Sequence, residues 1–299
     1  GSTMPILPRS GPPLERNWWL QNRVVDVRNQ GRCGDCWAES ATAVLESAYA
    51  QQTGTLVELS VQQLAECTPQ ELNRGCEGGW PADALRWAMH QGGVCAEADY
   101  PTTIGADGID VPCNVTKGAA CRRPINITGI TLIPGGDEVS LFAAAEADVV
   151  SVAIDASGSG FAAYKSGVYD GTFNGTADCS PTALDHAVLV AGYGFQDTTK
   201  TPFYIVKNSW GDQTWGAMGG YILMKRGVNV CGLAQDAVAR PSRRAHRAPP
   251  VPSSGSRPGG QRPRAPGGAM EVRDRLPAHR SSDHRFLRPP DQGARPSLA

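Results

Sequence analysis

The stretch Gln30-Gly31-Arg32-Cys33-Gly34-Asp35-Cys36-Trp37-Ala38 decides how the rest of the chain is read. Gly31 and Gly34 break the chain just before the thiol of Cys36, and glycine permits the φ > 0 turns that bulkier residues resist. Ala38, Ala41, Leu45 and Ala48 then recur at helical spacing, and Gly54 is a stop signal. The spacing predicts a helix of about four turns with Cys36 near its first turn. Unpaired N–H groups and roughly half a positive charge gather at a helix N-terminus, a field that favours thiolate over thiol. Two plainer readings compete. A helical cysteine is usually a small buried apolar residue. Cys33-Gly34-Asp35-Cys36 also has the C-x-x-C form of a thiol–disulfide oxidoreductase. No βαβ pattern surrounds it, and Cys33 has other candidate partners.

Outward from this helix, residues 1–17 are Pro-rich and are expected to lie extended, with Trp18-Trp19 opening the folded region. Ser60 with Gln63 three residues on predicts a capping box for a short helix reaching Cys67. Gly75-Cys76-Glu77-Gly78-Gly79 reads as a tight loop whose backbone a ligand can approach. Pro81 opens a helix with Ala84, Leu85, Ala88 and Met89 on one face. Residues 92–126 are loop-rich. From 127 the pattern changes to Ile127–Ile133 (strand), Glu138–Ala147 (helix) and Val149–Ile154 (strand), then β-rich runs at His186–Tyr193, Phe203–Lys207 and Tyr221–Lys225. A mainly helical half, 18–126, followed by a β-rich half, 127–240, predicts an α+β chain of two lobes.

Residues 241–299 carry 12 Arg, 4 acids and 11 Pro, with Phe286 as the one aromatic residue. That composition reads as a disordered, dispensable tail. Its net charge of +8 leaves −9 on residues 1–240, which argues against nucleic-acid binding by the folded part. All nine cysteines precede residue 232, an odd number consistent with four disulfides and one free thiol. Sequons at Asn114, Asn126 and Asn174 join them in pointing to a lysosomal, endosomal-vacuolar or secreted compartment. No apolar run is long enough to span a membrane, and no signal-peptide pattern opens the sequence.

A thiolate nucleophile needs a base, a group to orient that base, and oxyanion donors. Residues 1–240 hold two histidines. His90 ends a helix beside Gly92-Gly93 and reads as a cap or a solvent-facing residue. His186 opens an apolar run, and Asn208 follows in Lys207-Asn208-Ser209-Trp210-Gly211 after another apolar strand. An asparagine oxygen can fix one imidazole nitrogen and leave the other for Cys36.

With these residues in view the sequence resembles the papain-like cysteine proteases over roughly residues 17–240. Cys33-Gly34-Asp35-Cys36-Trp37 is similar to their C-G-[SA]-C-[WY] signature, with His and Asn downstream. Further matches are Leu59-Ser60-x-Gln62-x-Leu64-x-x-Cys67, Gly75-Cys76-x-Gly78-Gly79, Asp185-His186-Ala187, Gly192-Tyr193-Gly194 and Asn208-Ser209-Trp210-Gly211. The resemblance implies a helical lobe, a β-barrel-like lobe and a cleft between them. It implies an endopeptidase forming a thioester acyl-enzyme, with Cys36 as nucleophile and His186 as its ion-pair partner and general acid. Asn208 would orient His186, Trp210 would shield that bond, and Gln30 with the Cys36 N–H would form the oxyanion hole. Gly78, Gly79 and Asp185 would line the substrate cleft. Trp80, Pro81, Ala153, Leu184 and Ala187 would wall the pocket for the second residue before the cleaved bond, with Asp236 at its floor position, either facing water at the pocket mouth or facing inward to pair with a basic side chain. The implied disulfides are Cys33–Cys76 and Cys179–Cys231, then Cys67–Cys113 and Cys95–Cys121, the last two exchangeable.

The implied partners are polypeptide substrates and proteinaceous inhibitors or a propeptide. The resemblance implies a monomer, with no cofactor and no metal. The other class left open is a non-catalytic homologue whose cleft holds peptides without cutting them. Three departures stand out. Asp35 replaces a small residue beside the thiol and would raise its pKa somewhat. Glu39 stands where an aromatic residue usually faces the core, and needs a partner or a route to solvent. The Trp210 to Trp215 spacing is one residue longer than usual.

Overall fold

The computed structural model describes residues 14–104, 112–196, 198–216 and 218–241. The basic tail and most of the N-terminal Pro-rich segment, both read above from composition, lie outside the described residues. In chain order the elements are β1 (Leu14–Asn17), α1 (Cys36–Thr53), α2 (Val61–Cys67), α3 (Pro81–His90), α4 (Val115–Ala120), β2 (Thr131–Ile133), α5 (Glu138–Ala147), β3 (Val150–Ile154), α6 (Ser159–Ala162), β4 (Val168–Tyr169), β5 (Thr172–Phe173), β6 (Thr176–Ala177), β7 (His186–Phe195), β8 (Pro202–Lys207), β9 (Tyr221–Lys225) and β10 (Ala237–Ala239). The result is an α+β fold of two lobes, with α1 packed on one large mixed sheet and α2 and α3 packed on α1.

The sheet runs β2-β10-β3-β7-β8-β9-β4, with β1 also paired to β7. One edge of β7 serves two partners in turn: His186–Val190 pair with β3, and Gly192–Gly194 with β1. Gly192 marks the change. A Cβ there would overlap the carbonyl oxygen of Arg16, so only glycine lets β1 approach. Leu14–Asn17 thus lie in a sheet strand, extended as the sequence reads, but within the folded region that the sequence opens only at Trp18-Trp19.

The continuously apolar run of β7 has a physical reason. Val188 and Val190 enter the core inside the β lobe, while Leu189 and Ala191 enter the core shared with the helices. On β8, Tyr204 and Val206 face the first core, and Phe203 and Ile205 the second. A period of two distributes each strand between two cores. α1 is buried on nearly every side because it fills the second core. The Ser40 hydroxyl lies 2.7 Å from the Val188 carbonyl and 2.7 Å from Ser151 Oγ, tying α1 to the sheet.

Local expectations differ in four places. Gly31 is left-handed (φ 58°), but Gly34 is not; Gly34 is needed because a Cβ would sit 2.5 Å from the Cys76 carbonyl oxygen. Ser60 accepts from the Gln63 N–H as a cap, yet the Gln63 side chain turns away to accept from the Cys95 N–H, so only half of the capping box forms. The strand expected over Ile127–Ile133 is confined to Thr131–Ile133, while Ile127 sits in the helical-lobe core. The loop-rich stretch contains α4, capped by Asn114, whose side chain accepts from the Lys117 N–H. Disulfides join Cys33 to Cys76, Cys67 to Cys113, Cys95 to Cys121 and Cys179 to Cys231.

Candidate active site

Cys36 is the first residue of α1 and the free cysteine among the described residues. The Ala38 and Glu39 N–H groups both bond the Asp35 carbonyl, and the Cys36 N–H, at the first helical position, has no partner within the helix. Its sulfur accepts from the Ala187 N–H at 3.4 Å. Ala187 follows His186 at the start of β7, so the sheet delivers the imidazole to the end of the helix. His186 Nε2 and Asn208 Oδ1 are 2.7 Å apart and buried. The Trp210 ring lies 4.9 Å from the His186 ring and shields this bond. Nδ1 of His186 is buried and makes no hydrogen bond among the described residues. Such bonds often tighten only when substrate is in place.

Gln30 is held beside this group from two sides. Its backbone N–H donates to the Ser209 carbonyl at 2.8 Å, and its side-chain Oε1 accepts from the Ser209 hydroxyl at 2.6 Å. Asn29 and Trp210 form a β-bridge next to it. One amide N–H of Gln30 bonds the Cys33 carbonyl at 2.8 Å, which leaves its second N–H for an oxyanion.

Burial pushes the Cys36 thiol up to about 12, opposed by the Ala187 N–H and reinforced by Asp35 and Asp185. The expected lowering by the helix end is therefore outweighed by desolvation. Burial likewise pushes His186 down to about 4, with the Asn208 bond opposing. Both effects act against charging either group alone. Moving the thiol proton to His186 creates no net charge, and the resulting pair attracts most strongly where the dielectric is low.

The remaining positions fall as follows. Ala153 and Ala187 face each other across β3 and β7, and Ala187 packs with Cys36 and Trp80. Leu184 lies over Gly232, while Asp236 is half-buried with its carbonyl accepting from the Ala153 N–H. Gly78 (φ 108°) and Gly79 lead into Trp80 and Pro81 at the start of α3. Asp185 accepts from the Ala156 N–H, and burial pushes its carboxyl up to about 6, with Asp155 adding to the rise. His90 is exposed at the far end of α3. Asn114, Asn126 and Asn174 are all exposed. Asn174 forms a left-handed Asn-Gly turn with Gly175 between β5 and β6.

Two residues given no role by the sequence also shape the site. Asn73, buried, holds the backbone N–H and carbonyl of Trp80 through its amide. Ser209 aims Gln30. Neither has a local signal, since a turn asparagine and a post-strand serine occur everywhere. Glu39, the departure on α1, has an ion pair with Arg28 at 3.6 Å. Burial raises its carboxyl pKa against the pull of Arg28 and Lys207.

A thiol at a helix N-terminus beside an imidazole–amide pair, across a two-lobe junction, defines the class of thiol-dependent acyl-transfer enzymes. Residues 13–240 match the model of the papain family of cysteine proteases, and the chain belongs to that family. Cathepsin L of Sarcophaga peregrina is 41% identical over 224 residues, covering 74% of this chain and 62% of the fly protein. The inhibitor-bound bromelain protease of Ananas comosus superposes with a TM-score of 0.66 at 35% identity, covering 76% of this chain and 98% of bromelain. The proform of the ragweed pollen cysteine protease Amb a 11 gives 0.67 at 35% identity, covering 78% and 66%. The chain spans less than two thirds of the length of its sequence relatives, from 41% to 65%.

Proposed function

We propose that the chain is a cysteine endopeptidase. The observation that carries this reading is the buried 2.7 Å His186–Asn208 bond, set where the residue after His186 touches the Cys36 sulfur. With Nε2–H held by Asn208, Nδ1 takes the thiol proton as Cys36 Sγ attacks the scissile carbonyl carbon. The oxyanion is met by the Gln30 side-chain N–H and the Cys36 N–H. The C–N bond breaks, the leaving amine takes the proton from His186, and a thioester remains. Water then adds, giving its proton to Nδ1. The carbon–sulfur bond breaks, the acid is released, and Cys36 is restored. The thiol–disulfide alternative has little to act with, because Cys33 is bonded to Cys76. Cys36→Ala is expected to abolish peptide cleavage and labelling by thiol-directed epoxides; full activity in that variant would overturn the reading.

Further elements belong to the same proposal. The pocket of Trp80, Pro81, Ala153, Leu184 and Ala187 accepts Leu, Val or Phe, and Asp236 at its floor admits Arg. Cleavage of paired substrates with Arg or Phe at this position, by wild type and Asp236→Ala, tests this: an unchanged Arg/Phe ratio removes Asp236 from specificity. The cleft also receives proteinaceous inhibitors or a propeptide. The protein acts as a monomer in a lysosomal, vacuolar or secreted setting, with glycans on the exposed Asn114, Asn126 and Asn174. Residues 18–126 and 127–240 are the two lobes, and the tail is dispensable.

A further inference from the structure

Behind the His186–Asn208 pair lies a buried cluster of charge that the reaction does not use: Arg28, Glu39, Glu46 and Lys207. Glu46 is fully provided for. It pairs with Arg28 at 2.5 Å and accepts from the Leu59 N–H at 2.9 Å. Glu39 is not. Its residue is 8% exposed, and its carboxylate has the 3.6 Å ion pair to Arg28 but no hydrogen bond among the described residues. A cavity of about 10 Å³, room for one water, is lined by Glu39, Lys207, Asn208, Arg28, Ser40 and Ser209. Asn208 spends its oxygen on His186 and on the Ser209 N–H. Its amide nitrogen is buried and has no partner among the described residues. One wall of the cavity therefore offers a donor without an acceptor, and another offers a carboxylate that faces the charges of Arg28 and Lys207 but takes no hydrogen bond from them among the described residues.

Building on the peptidase reading, we propose that Glu39 is a positioning residue for Asn208. A single buried water donates to the Glu39 carboxyl oxygen and accepts from Asn208 Nδ2. Together with the Ser209 N–H on Oδ1, this fixes the amide with Oδ1 on His186 and His186 as the Nε2–H tautomer, so that Nδ1 is open to the thiol proton. A flipped amide would present N–H to Nε2 and select the tautomer that cannot take that proton. Arg28 and Lys207 face Glu39 with positive charge, while Glu46 and, farther off, Glu97 oppose it. The bridge asks only for an acceptor oxygen. A carboxylate, a carboxylic acid and a glutamine amide all have one, so the role does not depend on the titration of Glu39.

The test compares Glu39→Gln, which keeps the acceptor, with Glu39→Leu, which removes it and fills the cavity. Turnover is measured per titrated active site. Glu39→Leu is expected to lower kcat about tenfold or more with KM little changed, and Glu39→Gln to stay within about threefold of wild type. The ring ¹⁵N shifts of His186 in the Cys36-alkylated protein should report Nε2–H in wild type and Glu39→Gln, and a tautomer mixture in Glu39→Leu. A crystal structure of wild type should show one water within hydrogen-bond distance of both Glu39 and Asn208 Nδ2. Wild-type kcat in Glu39→Leu, a Glu39→Gln loss as large as that of Glu39→Leu, or a cavity without that water each overturns the proposal. If Glu39→Leu does not fold, the water in wild type decides. The spectroscopic and crystallographic readouts need no turnover. A wild type that cleaves nothing would therefore sink the peptidase reading and still leave Glu39 to be decided.

Discussion

In the proposed reaction Gln30 serves as an oxyanion donor only because its amide is held on two sides. Ser209 holds Oε1 and the Cys33 carbonyl takes one N–H, so the remaining N–H has a fixed direction. Gln30→Ala should cost about 10²–10³ in kcat, the usual loss for one oxyanion donor. Ser209→Ala should cost about tenfold, because it frees the amide without deleting it. Steady-state kinetics on both variants check the order, and equal losses would contradict it. Asp185 gives a pH signature. Its folded pKa, about 6, lies above the ordinary carboxylate value, so its contribution to stability is present at low pH and is lost as pH rises through 6. Asp185→Asn keeps an acceptor for the Ala156 N–H and removes the buried charge. Its melting temperature relative to wild type should rise between pH 4 and pH 7.5, and a flat difference would show that the carboxylate is solvated. The residue types of the site were legible because thiol, imidazole and amide chemistry leaves few choices in 1–240. The charge state of Cys36 was not. The helix-end field is a local property readable from sequence, whereas burial comes from the packing of β7 against α1.

At the scale of elements, the junction between the Cys33 loop and the Cys76 loop sets where α1 begins. The Gly34 N–H donates to the Cys76 carbonyl at 2.9 Å, and the disulfide beside it joins the same two loops. No side chain fits between them. Gly34→Ala should destabilise the fold by about 1–3 kcal/mol through overpacking. Chemical denaturation measures this, and a wild-type midpoint would mean that the loops separate freely. The same junction explains a limit of the sequence reading. Glycine reads there as a turn former, and only Gly31 is one. Helix α3 and the start of α2 were readable from Pro81 and Ser60, because caps are local. β1 was not, and β2 was readable as a strand but not in its extent, because their partners, β7 and β10, lie more than 100 residues away in sequence.

Across the whole molecule, Asp148 gathers the distant parts of the chain. It accepts from the Ser47 hydroxyl on α1 at 2.7 Å, pairs with Arg240 beyond β10 at 2.9 Å, and lies 3.8 Å from Arg23. Arg23 in turn stacks on Trp18, whose indole N–H donates to the Ala145 carbonyl at the end of α5. One buried carboxylate thus links the segment after β1, helix α1 and the residue after β10. Composition alone places the boundary of the folded part near residue 241, but it says nothing of Arg240, which looks like one more arginine of a basic tail. Two truncations separate the readings. A chain ending after Pro241 should keep the melting temperature and the activity of the full chain. A chain ending after Ala239 loses the Arg240 guanidinium from a carboxylate that stays buried, and should lose about 1.5–3 kcal/mol, the range for a hydrogen bond to a charged group. Thermal melts and kcat/KM of the two chains decide. Equal stability would mean that Arg23, the Ser47 hydroxyl and the Val149 N–H satisfy Asp148 without it. A loss already present at Pro241 would mean that residues beyond it contribute to the fold.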